Sequence, residues 1–207
     1  MITIVDYGLG NVLAFANLYQ RLNIDVSVAR EPNELEGASK IILPGVGAFD
    51  HAIKRLNESN MRPTLERLVL EVGVPVLGVC VGMQMFARSS DEGALQGLGW
   101  IPGRVRALRS LSHFDRPLPH MGWNDVTPAL RQPLFGELTN NRFYFLHSYF
   151  FECDQAEDIA ATCSYGVDFA CAVRRASIFG VQFHPEKSHR SGIELLRAFA
   201  DLQHAPA

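Results

Sequence analysis

The chain has 207 residues, 47% of them hydrophobic and 20% charged; folding at this size buries about 70% of the unfolded surface, which excludes a disordered or coiled-coil chain and needs no staples. At about 100 to 200 residues per domain, one domain over 1–207 is expected. Nineteen Lys and Arg against 22 Asp and Glu leave a formal charge of −3, so the balance lacks the basic field that nucleic acid or an anionic membrane would need, and a small molecule or a protein is the expected partner.

In chain order, the apolar run 2–5 predicts a strand, Tyr7-Gly8-Leu9-Gly10-Asn11 a tight turn, and Val12, Phe15, Leu18, Tyr19 and Leu22 a helix by their spacing. Strands are expected at 25–28 and 40–43, the second ending in Pro44-Gly45-Val46-Gly47, followed by a helix carrying Phe49, Ile53 and Leu56. Residues 61–72 read as a helix with Leu65, Leu68, Val69 and Val72 on one face, and 74–79 as a strand buried on both faces. Past Gly93 the segments shorten, Gly and Pro breaks multiply, and Arg104, Val105, Arg106, Ala107 and Leu108 alternate. That predicts antiparallel strands, with further ones at 143–151, 159–162, 170–173 and 178–183 and a closing helix over 191–202. The fold class is therefore α/β: a mixed, mostly parallel central sheet flanked by helices, with an antiparallel β section in the second half.

No run of 18 apolar residues occurs and the first six residues read as a strand rather than a signal segment, so a cytoplasmic location is expected. Cys80, Cys153, Cys163 and Cys171 form no C-x-x-C pair, which fits a reducing compartment and argues against structural zinc. His51, His113 and His204 have no companion pattern, and His184, Glu186 and His189 are not at a zinc spacing, so neither a metal nor a cofactor is expected.

The most informative motif is Gly78-Val79-Cys80-Val81-Gly82, a nucleophile between glycines where a buried strand must turn into a helix beginning near Met83. This is the thiol counterpart of the G-x-S-x-G elbow, whose sharp turn leaves no room for neighbouring Cβ atoms; the helix start favours thiolate. A thiol nucleophile needs a base. Gln182-Phe183-His184-Pro185-Glu186-Lys187 supplies a histidine at a strand end, with a carboxylate two residues on to orient its other ring nitrogen. Cys80, His184 and Glu186 form the expected triad; Cys153, Cys163 and Cys171 read as packed thiols.

With these residues in hand, the chain resembles the class I (triad) glutamine amidotransferases over nearly its whole length. Within that family, Pro44-Gly45-Val46-Gly47, Pro119-His120-Met121-Gly122-Trp123-Asn124, Phe145-Leu146-His147-Ser148-Tyr149 and Gln182 to Ser188 are similar to motifs of the glutaminase subunits of imidazole glycerol phosphate synthases. The resemblance implies hydrolysis of L-glutamine to glutamate and ammonia. Oxyanion donors would be the backbone around Val46 and Gly47 and the N–H of Val81. Gln84 and Glu92 would bind substrate, Glu92 its ammonium, while Ser148 and Tyr149 would hold the substrate main chain; for Glu92 a solvated loop carboxylate is the alternative. The chain has no P-loop, and Gly8-Leu9-Gly10-Asn11-Val12-Leu13 lacks the third glycine of a dinucleotide fingerprint. A separate acceptor enzyme is thus implied, in this family a (β/α)8-barrel cyclase that makes imidazole glycerol phosphate and AICAR in histidine biosynthesis.

The resemblance places Gly10, Asn11, Trp123 and Lys187 toward that partner in a heterodimer; as alternatives, Asn11 caps a helix, Trp123 is core and Lys187 is a solvated charge. His120 and His147 read as structural or interface residues. Three other readings stay open: a paralogue feeding ammonia to a cyclase-like partner that aminates a sugar nucleotide for surface polysaccharide, a catalytically silent binding subunit, and a thiol hydrolase acting on another amide or ester.

Overall fold

A computed structural model describes residues 1–136 and 138–203; Glu137 and 204–207, His204 among them, lie outside the described residues. The chain begins with β1 (Ile2–Val5), α1 (Val12–Arg21), β2 (Val26–Ala29), β3 (Lys40–Gly45) and α2 (Phe49–Glu58). Next come α3 (Arg62–Glu66), which widens into a π-helical turn over Arg67–Glu71, then β4 (Val76–Cys80) and the single turn α4 (Val81–Gln84). The remainder is β5 (Gly103–Ala107), β6 (His120–Pro128), β7 (Arg142–His147), β8 (Tyr149–Cys153), β9 (Ile159–Ser164), β10 (Asp168–Arg175), β11 (Ile178–Val181) and α5 (His189–Asp201).

These strands form one sheet in the order β2-β1-β3-β4-β11-β10-β9-β6-β7, with β8 branching from β10 and carrying β5 at its side. From β2 to β11 every pairing is parallel, and from β10 onward every pairing is antiparallel. The parallel strands β1, β3, β4 and β11 are almost wholly buried, as expected for a sheet covered on both faces. Helix α1 buries Val12, Phe15, Ala16 and Tyr19, and the Tyr19 hydroxyl donates to the Leu196 carbonyl of α5 at 3.2 Å. Val12 and Phe15 each contribute about 1.5–3 kcal/mol on leaving water.

Four details differ from the sequence reading. Val72 is 52% exposed, because the chain widens to a π turn before it and rotates it off the face shared by Leu65, Leu68 and Val69. Residues 143–151 are two strands, not one: at Ser148 the chain leaves β6 as neighbour and joins β5 and β10, while the Ser148 carbonyl accepts from Leu108 N–H at 3.0 Å. The helix after the cysteine starts at Val81 and is one turn long. Strand β6 is unforeseen, since Gly122, Asn124, Asp125 and Pro128 are poor strand formers and only pairing with β7 and β9 makes it one.

Candidate active site

Because β4 and β11 are parallel neighbours with Val79 opposite Val181, their C-terminal ends lie side by side. Cys80 at the end of one and Gln182 to His184 just beyond the other must therefore meet, although they are far apart in the chain. Ligand sites of open α/β sheets lie outside such strand ends.

Cys80 has φ 56° and ψ −114°, a conformation that costs a non-glycine residue about 1–3 kcal/mol. Pairing of β4 on both sides, with β3 and β11, holds it there. Gly82 permits the turn: a Cβ at that position would collide with the Leu43 carbonyl oxygen of β3.

His184 is hydrogen-bonded to Cys80, and its Nδ1 donates to Glu186 Oε1 at 3.0 Å, leaving Nε2 for the thiol. The Glu186 side chain is 1% exposed. Burial alone would lower the His184 pKa, but the hydrogen bonds and charges of Cys80 and Glu186 outweigh it and hold the imidazole up to about 9. The turn is locked to β7: His184 N–H donates to the Tyr144 carbonyl at 2.9 Å, Ser188 Oγ to the His184 carbonyl at 2.6 Å, and Tyr144 N–H to Ser188 Oγ at 3.0 Å.

A cleft of about 280 Å³ opens over Cys80. Its walls include Val46, Gly47 and Val81 beside the sulfur, Gln84 and Glu92, the His147-Ser148-Tyr149 turn, and His184 with Lys187 at the rim. Glu92 is no free loop carboxylate: its Oε2 accepts Phe49 N–H at 2.8 Å, at the N-terminus of α2. Gly47 sits at φ +84° with no atom within 4 Å of where a Cβ would stand, so the loop has room to reorient. Val46 is exposed and Val81 buried.

Of the residues expected at a partner surface, Lys187 lines the cleft. Gly10 packs on Pro44, leaving 2.6 Å between a would-be Cβ and the proline Cβ. Asn11 occupies the N-cap position of α1 without a side-chain cap bond, and Lys187 is exposed. Trp123 is 39% exposed and stacks on His189, with ring centroids 5.2 Å apart. Among the arginines of the β5 region, Arg104 and Arg106 both bind Glu152 at 2.8 Å. Cys163 and Cys171 are buried and Cys153 partly so; burial pushes the thiols of Cys153 and Cys163 up to about 12 and Cys171 well above the usual thiol range.

Two neighbours of the site escaped the sequence reading. Gln182 donates from Nε2 toward Cys80 Sγ at 3.6 Å and accepts from Gln84 Nε2 at 3.0 Å; Gln84 Nε2 also reaches the Tyr149 carbonyl at 3.3 Å. Tyr7, fully buried, donates its hydroxyl to the Pro44 carbonyl at 2.7 Å, pinning the strand that leads into the Val46–Gly47 loop. Gln182 stood inside a recognised motif, so its place beside the histidine was a signal; Tyr7 offered none. No cluster of three or more His, Cys, Asp or Glu able to hold a metal is found among the described residues.

This chain matches the family "Glutamine amidotransferase class-I" over residues 3–202. It is 61% identical to a protein of Bdellovibrio bacteriovorus named imidazole glycerol phosphate synthase subunit HisH, over 98% of this chain and 100% of that one. To the protein of the same name from Leptospira borgpetersenii it is 49% identical, again over 98% and 100%. Among solved structures, one titled glutamine amidotransferase superposes with a TM-score of 0.70 at 20% identity, covering 95% of this chain and 98% of that one. PurLQS from Thermotoga maritima gives 0.66 at 15%, covering 96% of each. The strand-end cysteine, the strand-end histidine beside it and the match across almost the full length lead to one conclusion: the chain belongs to the class I glutamine amidotransferases.

Proposed function

We propose that the chain is the glutaminase subunit of an imidazole glycerol phosphate synthase, one glutaminase domain working in the cytoplasm beside a (β/α)8-barrel cyclase. The observation that carries this reading is 61% identity along 98% of the chain to a relative of that name. The Cys80–His184–Glu186 arrangement supports the chemistry. No helix among the described residues is long and apolar enough to cross a membrane.

Glutamine enters the cleft with its ammonium toward Glu92 and its main chain against Ser148 and Tyr149; Gln84 lines the same wall. Cys80 Sγ, its proton taken by His184 Nε2, attacks the side-chain amide carbon. The tetrahedral oxyanion is met by the Val81 N–H and by an N–H of the Val46–Gly47 loop. His184 delivers its proton to the departing nitrogen, which leaves as ammonia while a thioester remains on Sγ. Water then gives a proton to His184, attacks the thioester and releases glutamate, restoring the thiol; glutamine and water have become glutamate and ammonia. Glu186 fixes the tautomer and carries the imidazolium. Ammonia is mostly protonated in neutral water, so it passes directly to the cyclase across a surface in which we place Gly10, Asn11, Trp123 and Lys187.

The test is glutamate release from glutamine by the chain alone and after adding the cyclase from the same source with its nucleotide ligand. Stimulation that vanishes in Cys80→Ala is the expected result. No association and no stimulation would overturn the histidine-pathway assignment.

A further inference from the structure

The mechanism leaves unused two buried histidines that stand directly opposite each other on β6 and β7, His120 and His147. His120 Nδ1 is 2.9 Å from His147 Nε2, His147 Nδ1 is 2.8 Å from the Tyr149 carbonyl, and His120 Nε2 is 3.3 Å from Asn124 Nδ2. The proton positions follow from both ends of this chain. Asn124 is oriented by two outside contacts, its Nδ2 donating to the Ser164 carbonyl at 2.9 Å and its Oδ1 accepting Asp125 N–H at 2.8 Å. Hence Asn124 donates to His120 Nε2, His120 Nδ1–H donates to His147 Nε2, and His147 Nδ1–H donates to the Tyr149 carbonyl, which can only accept. A second proton on either ring would set two N–H groups against each other. His120 is stacked between Phe145 and Tyr165, with centroids at 4.6 and 4.0 Å, and burial lowers His120 to about 4 and His147 to about 3.

The Tyr149 carbonyl also accepts from Gln84 Nε2, which donates in addition to Gln182 Oε1, and Gln182 Nε2 in turn reaches the Cys80 sulfur. We propose that His147, held in one neutral tautomer by His120, is a positioning residue for glutamine: its Nδ1–H fixes the Tyr149 carbonyl and thereby the Ser148–Tyr149 main chain lining the cleft. This rests on the glutaminase reading above.

Amide side chains separate positioning from packing. The asparagine nitrogen stands close to where a histidine carries Nδ1, the glutamine nitrogen close to where it carries Nε2. In the complex with the cyclase, His147→Asn keeps a donor for the Tyr149 carbonyl and raises KM for glutamine about two- to threefold, whereas His147→Gln loses it and raises KM about tenfold, with kcat changing less. Packing alone ranks them the other way, since asparagine leaves the larger void. Equal KM values, or a loss in kcat alone, would overturn the proposal. Should the His147 variants not fold, judged by thermal melting, His120→Asn and His120→Gln repeat the comparison one ring away: Asn keeps the donor to His147 and the lower KM, and equality again overturns it. A wild-type complex that releases no glutamate removes the glutaminase reading and this proposal together; an active wild type with indistinguishable variants removes only the latter.

Discussion

The parallel half of the sheet, β2 to β11, and the antiparallel half, β10 to β7 with β8 and β5, each send one buried histidine into the same cleft, and the two are driven in opposite directions. His184, after β11, sits against a thiol and a carboxylate and is held up to about 9. His147, at the end of β7, faces a neutral ring and a carbonyl and is held down to about 3. Burial acts on both in the same sense; the partners decide the outcome. A parallel edge delivers residues singly at strand ends, where a charge can be paired and used. In the antiparallel half, facing strands place side chains opposite one another, so His120 and His147 satisfy each other and stay neutral.

Breaking the parallel side should cost most. Cys80→Ala removes the nucleophile and should lower glutamate release by at least about 1,000-fold while leaving association with the cyclase intact, measured by turnover and by co-elution. Glu186→Gln should lower turnover by about 100-fold. It should also move the alkaline limb of the rate profile below pH 9, because His184 then lacks one of the groups that raise its pKa. An unmoved limb would dissociate the carboxylate from that histidine.

The antiparallel side is sharpened by acid. His120 and His147 have folded pKa values near 4 and 3 against 6.5 unperturbed, so below about pH 6.5 the unfolded chain binds protons that the folded chain refuses. Their contribution is present above that pH and is lost as pH falls toward 4 and 3. Denaturant unfolding should therefore show stability declining from pH 6.5 to 4 with a slope of up to about two protons from this pair. His120→Phe, which keeps the stack on Phe145 and Tyr165, should make the decline shallower. The smallest effect is expected away from both sites: Arg62→Ala removes a half-exposed pair with Glu66 at 2.8 Å and should cost about 0.5 kcal/mol or less in thermal unfolding.

Much of the parallel half could be read from the chain. Apolar runs and helical spacings located β1, α1, β3, α2 and β4, and the glycines around Cys80 marked the elbow, because a sharp turn pressed against a neighbouring strand admits no side chain. His184 and Glu186 were legible because their spacing alone lets a carboxylate reach the ring. Less was legible beyond Gly93. Strand β6 carries residues with poor strand propensity, and the partner switch at Ser148 leaves no mark on an otherwise continuous apolar segment.

The α/β class, the candidate nucleophile and histidine, and the family could be read from residue type and local spacing alone. That Gln182 touches the sulfur, that Tyr7 pins Pro44 and that Glu92 caps α2 is set by the folded chain. It alone decided, too, that two histidines 27 positions apart share one proton between their rings. The reason is physical: hydrogen bonds between distant segments, and the tautomers they select, depend on which strands become neighbours, and register is set by the packing of the whole sheet.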